Sequence, residues 1–140
     1  MGGSLILGYD GSDGAKAALV KATRLASAMA ATVVVVYGYE PIPAGGETAD
    51  LKRAREEIGT KVAAEAVDAI GVIDPLVGTE VALVDGRPAD ALLAVAEDRR
   101  ADMIVVGGNG RGPLAGAILG SVPYRLLHRS TVPVLVVPSA

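Results

Sequence analysis

The part of this chain best suited to hold a charged ligand is the glycine-rich segment from Gly107 to Val122, GGNGRGPLAGAILGSV. Six of its residues are glycines. Glycine lets a ligand approach main-chain N–H groups without a Cβ in the way. Successive N–H groups followed by the positive start of a helix bind anionic oxygens. The segment therefore predicts a phosphate-binding loop.

The charges around this segment favour the same chemistry. From Met103 to Ala140 there is no Asp or Glu, but there are three arginines, whereas the whole chain has a formal net charge of −3. We interpret Arg125 and Arg129, one helical turn apart, as a solvated or dimer-facing pair. The positive charge of the last third of the chain favours a small anionic ligand. The acidic character of the whole chain predicts that neither nucleic acid nor a membrane is a partner.

Two plainer interpretations of these residues stay open. Glycines after a strand often serve as turn-makers, and Ser121 is a natural helix N-cap whatever binds beside it. Asp10, in the sequence Asp-Gly-Ser, equally suits a turn and cap. The chain has no G-x-x-x-x-G-K-[ST] motif, so it is not a P-loop protein.

Five aliphatic segments separated by helical patterns must position these residues. Four of the five are near-continuous apolar runs, typical of parallel strands covered on both faces. Strict β/α alternation predicts an α/β fold with a doubly wound open parallel sheet, which binds ligands where the winding direction reverses. In the order 3-2-1-4-5, one of two common orders, that point lies between strands one and four. The predicted strands are Leu5–Tyr9, Thr32–Tyr39, Glu80–Val84, Met103–Gly107 and Val134–Val137.

Four helices are expected in the gaps, completing three α/β/α layers within one domain, residues 1–140. The first has Ser12 or Asp13 as its N-cap, and the second carries apolar residues from Leu51 to Ala69. Pro88 opens the third, with no function expected beyond helix entry, and the fourth runs from about Val122 to Arg129.

Composition narrows the class further. The chain has no cysteine, so disulfides and thiolate chemistry are excluded, and its single histidine, His128, is interpreted as a surface cation at a helix end. The start of the chain lacks the features of a secretion signal, and no apolar run approaches the length of a membrane span. We expect a cytoplasmic protein.

Four motifs in register resemble the universal stress protein family. The spacing Gly107-x2-Gly110-x9-Gly120-Ser121 is similar to the nucleotide loop, G-x2-G-x9-G-[ST], of its ATP-binding branch. The opening Ile6-Leu7-Gly8-Tyr9-Asp10-Gly11-Ser12, the segment Gly86-Arg87-Pro88-Ala89 and the closing Val132-Pro133-Val134-Leu135-Val136-Val137 are similar to other family landmarks. The resemblance covers essentially the whole chain.

The resemblance implies the 3-2-1-4-5 sheet and an ATP site, with Mg²⁺ as a further component. Asp10 would meet ribose hydroxyls or a metal-bridged phosphate, the stretch Tyr37–Gly38 would pass over the adenine, and Ser121 would bind phosphate. The expected nucleotide-binding residues are Gly8, Asp10, Gly38, Gly107, Gly108, Gly110, Arg111, Gly120, Ser121 and Val122, with Asp10 as the candidate metal ligand.

One departure concerns the number of phosphates bound. The family often has Ser followed by Arg or His between the first two loop glycines, where this chain has Gly108 and Asn109, and Arg111 is expected to supply the charge instead. From the resemblance as a whole we expect an ATP-binding regulatory protein with at most slow hydrolysis, which forms a homodimer through its last strand. An AMP or cyclic AMP sensor and a nucleotide-free dimerisation module are the alternatives.

Overall fold

The aliphatic runs of the sequence form one five-stranded parallel sheet in the computed structural model, which describes residues 2–39, 46, 48–108 and 120–139. The strand order is β3-β2-β1-β4-β5, as predicted. The central strands are buried on both faces, which explains why their sequences do not alternate between apolar and polar residues. The strands are β1 (Ser4–Gly8), β2 (Thr32–Tyr39), β3 (Thr79–Asp85), β4 (Met103–Gly107) and β5 (Val134–Val137).

The predicted helices cover the two faces of this sheet. Ser12 is the N-cap of the first helix, as one of the two predicted alternatives had it, and Pro88 occupies the first turn of the third. Pro is favoured there because its missing N–H would have no helical partner. The helices are α1 (Asp13–Met29), α2 (Ala49–Ile73), α3 (Pro88–Arg99) and α4 (Ser121–Arg129).

Small aliphatic side chains fill two separate core layers. Alternate strand residues such as Leu5 and Val33 pack against alanines of α1 and α2, while Ile6 and Val34 pack on the opposite face against α3 and α4. Because successive strand residues point to opposite faces, each strand serves both layers. None of the helices within the described residues is long and apolar enough to cross a membrane.

The change of winding direction falls between β1 and β4. Their register pairs Leu5 with Met103 and Leu7 with Val105, so both strands end at the same edge of the sheet. The turn after β1 and the start of α4 therefore lie side by side, where doubly wound sheets bind ligands.

Candidate functional site

A cleft of about 500 Å³ opens at the carboxyl edge of the sheet. Its walls come from the ends of β1, β2 and β4, from the first turns of α1 and α4, and from α3. The described lining residues are Gly8, Tyr9, Asp10, Ser12, Ala15, Val36, Tyr37, Gly38, Pro88, Leu92, Val106, Gly107, Gly120, Ser121, Val122 and Pro123.

The turn between β1 and α1 fixes the position of Asp10 at the mouth of the cleft. Asp10 is exposed, and its Oδ1 accepts a hydrogen bond from the Ser12 N–H at 2.9 Å. The Ser12 hydroxyl in turn accepts from the Ala15 N–H at 3.2 Å and caps α1. The turn-and-cap interpretation of Asp10 is thus confirmed, and the carboxylate is held at the lip of the cleft by the same contact.

Close packing explains why three positions around the cleft are glycines. At Gly107, an added Cβ would lie 2.6 Å from the carbonyl carbon and 2.7 Å from the carbonyl oxygen of Gly14 in α1. At Gly38, it would lie 3.0 Å from the Gly86 oxygen, and at Gly8, 3.0 Å from a methyl of Leu92. These glycines bring the helices onto the strand ends and so set the width of the cleft.

Two backbone hydrogen bonds attach the start of α4 to the end of the sheet. The Gly108 N–H donates to the Val137 carbonyl at 2.9 Å, and the Gly120 N–H donates to the Gly108 carbonyl at 3.1 Å. Gly120 is the N-cap of α4 and Ser121 is its first residue, so the expectation that Ser121 is the N-cap is wrong by one position. Because Pro123 has no N–H, the backbone donors at positions N1 to N3 of this helix are those of Ser121 and Val122.

The cleft has one apolar wall and one polar end. Val36, Leu92 and Val106 supply the apolar surface, while Ser121 lies exposed at the amino end of α4, where a helix attracts anions. Among the lining residues that the structure describes, Asp10 is the one that carries a full charge. The cleft can therefore hold a flat apolar group, a hydroxylated group near Asp10 and an anionic group at α4.

Tyr9 lines the cleft, and its side chain is buried and has a shifted pKa. It is 5% exposed, and burial together with the nearby carboxylates of Glu65 and Asp10 raises the pKa of its hydroxyl above the ordinary 10.0. Burial and negative neighbours both disfavour the phenolate. The folded chain therefore keeps Tyr9 protonated at a pH where the unfolded chain begins to lose that proton.

This difference predicts how alkali acts on stability. The contribution of Tyr9 is fully present below pH 10.0, the ordinary value, and is lost as the pH rises through the raised pKa of the folded state. We expect the melting temperature of wild type to fall more steeply above pH 10.0 than that of Tyr9→Phe, as followed by circular dichroism. Parallel curves for the two proteins would contradict this placement of Tyr9.

Most of the residues predicted from the sequence to bind a ligand meet at this cleft. Gly108 is not among the lining residues and makes its described contacts with Val137 and Gly120, so its role as a ligand residue stays a prediction. Gly110 and Arg111 lie outside the described residues. The predicted residues that line the cleft are Gly8, Asp10, Gly38, Gly107, Gly120, Ser121 and Val122.

The sequence interpretation missed most of the apolar wall. Val36, Leu92 and Val106 belong to apolar runs that indicated only burial, and Pro88 lines the cleft in addition to opening α3. The place of Val106 near the carboxyl end of β4, and of Pro88 at the start of α3, was the signal that could have found these two. Ser12, expected as a cap alone, also lines the cleft.

The cationic residues of α4 lie away from the lining of the cleft. Arg129 forms an ion pair with Asp90 of α3 at 2.8 Å, and Arg125 is exposed. His128 is exposed in the last turn, as predicted, and its ring lies 4.5 Å from that of Tyr124. In the described part of the chain, no group of three or more His, Cys, Asp or Glu side chains could together hold a metal ion.

Fold and site together define a doubly wound α/β protein with a ligand cleft at the reversal of its sheet. The model of the universal stress protein family matches residues 3–138, and the chain belongs to that family.

Individual relatives agree with this assignment over nearly their whole length. The Thermus aquaticus protein named "universal stress protein in QAH/OAS sulfhydrylase 3′ region" is 38% identical over 137 residues, with 96% of this chain and 97% of the relative covered. A crystal structure of a universal stress protein in complex with cAMP has a TM-score of 0.79 and 31% identity, covering 99% of this chain and 98% of the other. The structure of the Archaeoglobus fulgidus universal stress protein in complex with dAMP shares the fold at a TM-score of 0.72 and 23% identity, with 98% of each chain covered.

Proposed function

We propose that this chain is a cytoplasmic regulatory protein that binds an adenine nucleotide, with ATP as the first candidate, in the cleft between β1 and α4. The observation that carries the proposal is the cleft itself. The cleft has an apolar wall on one side and the amino end of a helix on the other. Its volume of about 500 Å³ is that of a small-molecule site. The related structure that holds cAMP, at 31% identity, supports the choice of an adenine nucleotide.

The two ends of the cleft suit different parts of a nucleotide. The base would lie against the apolar residues Val36 and Leu92, near the carboxyl end of β2, where Gly38 lines the cleft. The ribose hydroxyls would donate to the Asp10 carboxylate. Phosphate oxygens would accept from the Ser121 and Val122 N–H groups and the Ser121 hydroxyl, at the positive end of α4.

Mg²⁺ fits the lip of the cleft as a companion of the nucleotide. This ion is commonly held by one or two carboxylates together with substrate phosphates and water. Asp10 is an exposed carboxylate on the same cleft as Ser121, so it could hold a phosphate-bound ion from the protein side. The ion would neutralise phosphate charge, and Arg111 stays a predicted second source of positive charge.

We propose storage or sensing of the nucleotide with at most slow hydrolysis. Rapid phosphoryl transfer uses a cation on the γ-phosphate, carboxylates for the metal and a group that orients the nucleophile. Among the described lining residues, Asp10 is the one carboxylate and no lysine is present.

A monophosphate ligand is the second candidate. It is favoured by the similar structure in complex with cAMP. The sequence points the same way, because Gly108 and Asn109 stand where the family often has a serine followed by a cationic residue. Under this alternative the cleft is a sensor of AMP or cyclic AMP and uses the same residues for base and ribose.

We further propose that two copies associate through β5. This strand, Val134–Val137, lies at one edge of the sheet and pairs with β4 on its inner side. An aliphatic edge strand can extend its hydrogen-bonding ladder into a second copy, which would also shield it from aggregation.

The carboxylate of Asp10 provides a direct test of nucleotide binding. Asp10→Asn keeps an oxygen that can accept from the Ser12 N–H, but it removes the charge that would hold ribose hydroxyls or Mg²⁺. We expect affinity for ATP to fall by about 10- to 100-fold, the scale of about 1.5–3 kcal/mol for hydrogen bonds to a charged group. Isothermal titration calorimetry measures the change.

Asp13→Asn is the matched control. Asp13 is an exposed acid in the first turn of α1 and is not among the lining residues, so this variant loses the same charge without touching the cleft. Equal affinities for wild type and Asp10→Asn would show that the Asp10 carboxylate does not take part in nucleotide binding. Mass spectrometry of nucleotide released by heat from the purified protein would show which adenine nucleotide is retained.

A further inference from the structure

A buried glycine in the middle of α2 lies directly over the ring of Tyr37. Glycine is unfavourable in a helix interior relative to alanine, so its presence at position 59 calls for a packing reason. A Cβ on Gly59 would lie 2.9 Å from Cδ1 and 3.2 Å from Cε1 of Tyr37. Real Cβ atoms essentially never come that close, so any larger residue at position 59 would displace the ring or the helix.

The Tyr37 ring has a neighbour on each side along the sheet. Tyr37 pairs with Leu83 in β3, and Leu83 Cδ2 lies 3.5 Å from the same Cβ position on Gly59. On the β1 side lies the buried Tyr9, because Gly8 pairs with Val36 and Tyr9 is the next residue. Tyr9 and Tyr37 both line the cleft, so a shift of the Tyr37 ring changes the cleft wall.

We infer that Gly59 is a positioning residue for the nucleotide cleft, which acts through Tyr37 and shapes the cleft wall at the end of β2. This inference rests on the proposed function. Gly59 does not line the cleft; its missing side chain allows the Tyr37 ring to lie against the backbone of α2. A side chain at position 59 would displace the ring and so change the cleft wall that Tyr37 contributes.

A second glycine of the same helix supplies a matched control. Gly71 is exposed, and a Cβ there would meet nothing within 4 Å. Gly59→Ala and Gly71→Ala therefore make the same chemical change in one helix, but only the first adds an atom against Tyr37.

Calorimetric titration of wild type and both variants with ATP and with cyclic AMP tests the inference. We expect Gly59→Ala to weaken binding of whichever nucleotide wild type binds by about tenfold, and Gly71→Ala to bind as wild type does. If Gly59→Ala also binds as tightly as wild type, the positioning role is overturned while the proposed function stands. If wild type binds neither nucleotide, the proposed function fails and the role of Gly59 fails with it.

A double-mutant cycle separates action through Tyr37 from a general disturbance of α2. Tyr37→Phe keeps the ring atoms that Gly59→Ala would displace, and Tyr37→Val removes them. The tenfold loss should persist in the Phe background and vanish in the Val background, because contacting residues give non-additive effects. A loss of the same size in both backgrounds would show that Gly59→Ala acts on the helix and would overturn the inference.

Discussion

Gly107→Ala will destabilise the folded chain more than the Gly→Ala substitutions at positions 59, 71 and 86. The new Cβ would lie 2.6 Å from the carbonyl carbon of Gly14 and 3.0 Å from its Cα. These are backbone atoms at the start of α1, so they cannot turn aside as a flexible side chain can. We expect a loss of about 2–3 kcal/mol, the upper part of the range for overpacking.

Thermal unfolding followed by circular dichroism measures this loss. For a chain of this length the melting temperature should fall by roughly 10 °C. Gly86→Ala is the control, because a Cβ on Gly86 would meet nothing within 4 Å and the residue does not have a positive φ. A Gly107→Ala protein that melts with wild type would show that β4 and α1 do not approach as described.

Ser121→Asp will abolish nucleotide binding while leaving the fold as stable as before or more so. Ser121 is the first residue of α4, where an acidic side chain is favoured by the helix dipole, typically by about 0.3–1 kcal/mol. The same carboxylate would occupy the place proposed for phosphate. Juxtaposed like charges cost several kcal/mol, so affinity should fall by at least about 100-fold.

Ser121→Asp is informative because it should lower nucleotide affinity without lowering the stability of the fold. Ala49→Asp is the matched control, since Ala49 is the exposed first residue of α2 and gives the same change in net charge away from the cleft. Melting temperature and calorimetric affinity should both be measured on each variant. If Ser121→Asp still binds nucleotide as wild type does, the phosphates are not held at the start of α4.

The fold could be predicted largely from the sequence because its signals are local. Near-continuous aliphatic runs marked four of the five strands, all five were predicted to within one residue at each end, and Ser12 and Pro88 marked the starts of α1 and α3. The ends of β3 were predicted less accurately. This strand begins at Thr79 and ends at Asp85, one residue beyond the prediction on each side. Polar residues extend that edge strand because the ladder with β2 continues past its apolar part.

The site could be predicted only in part, because several of its determinants join residues distant in sequence. The glycine spacing singled out Gly107 and Gly120, and both line the cleft, but it could not show that Gly107 packs against Gly14 of α1. Nor could the helical pattern of α2 show that Gly59 lies over Tyr37. Such contacts depend on how the helices pack against the strands, and this packing cannot be read from a local sequence pattern.

The most direct test of the central claim is isothermal titration calorimetry of the wild-type chain with ATP, AMP and cyclic AMP, repeated with Ser121→Asp. The account predicts saturable binding of at least one of these nucleotides by wild type, with a stoichiometry of one per chain, and none by the variant. Absence of binding by wild type for all three nucleotides would contradict it.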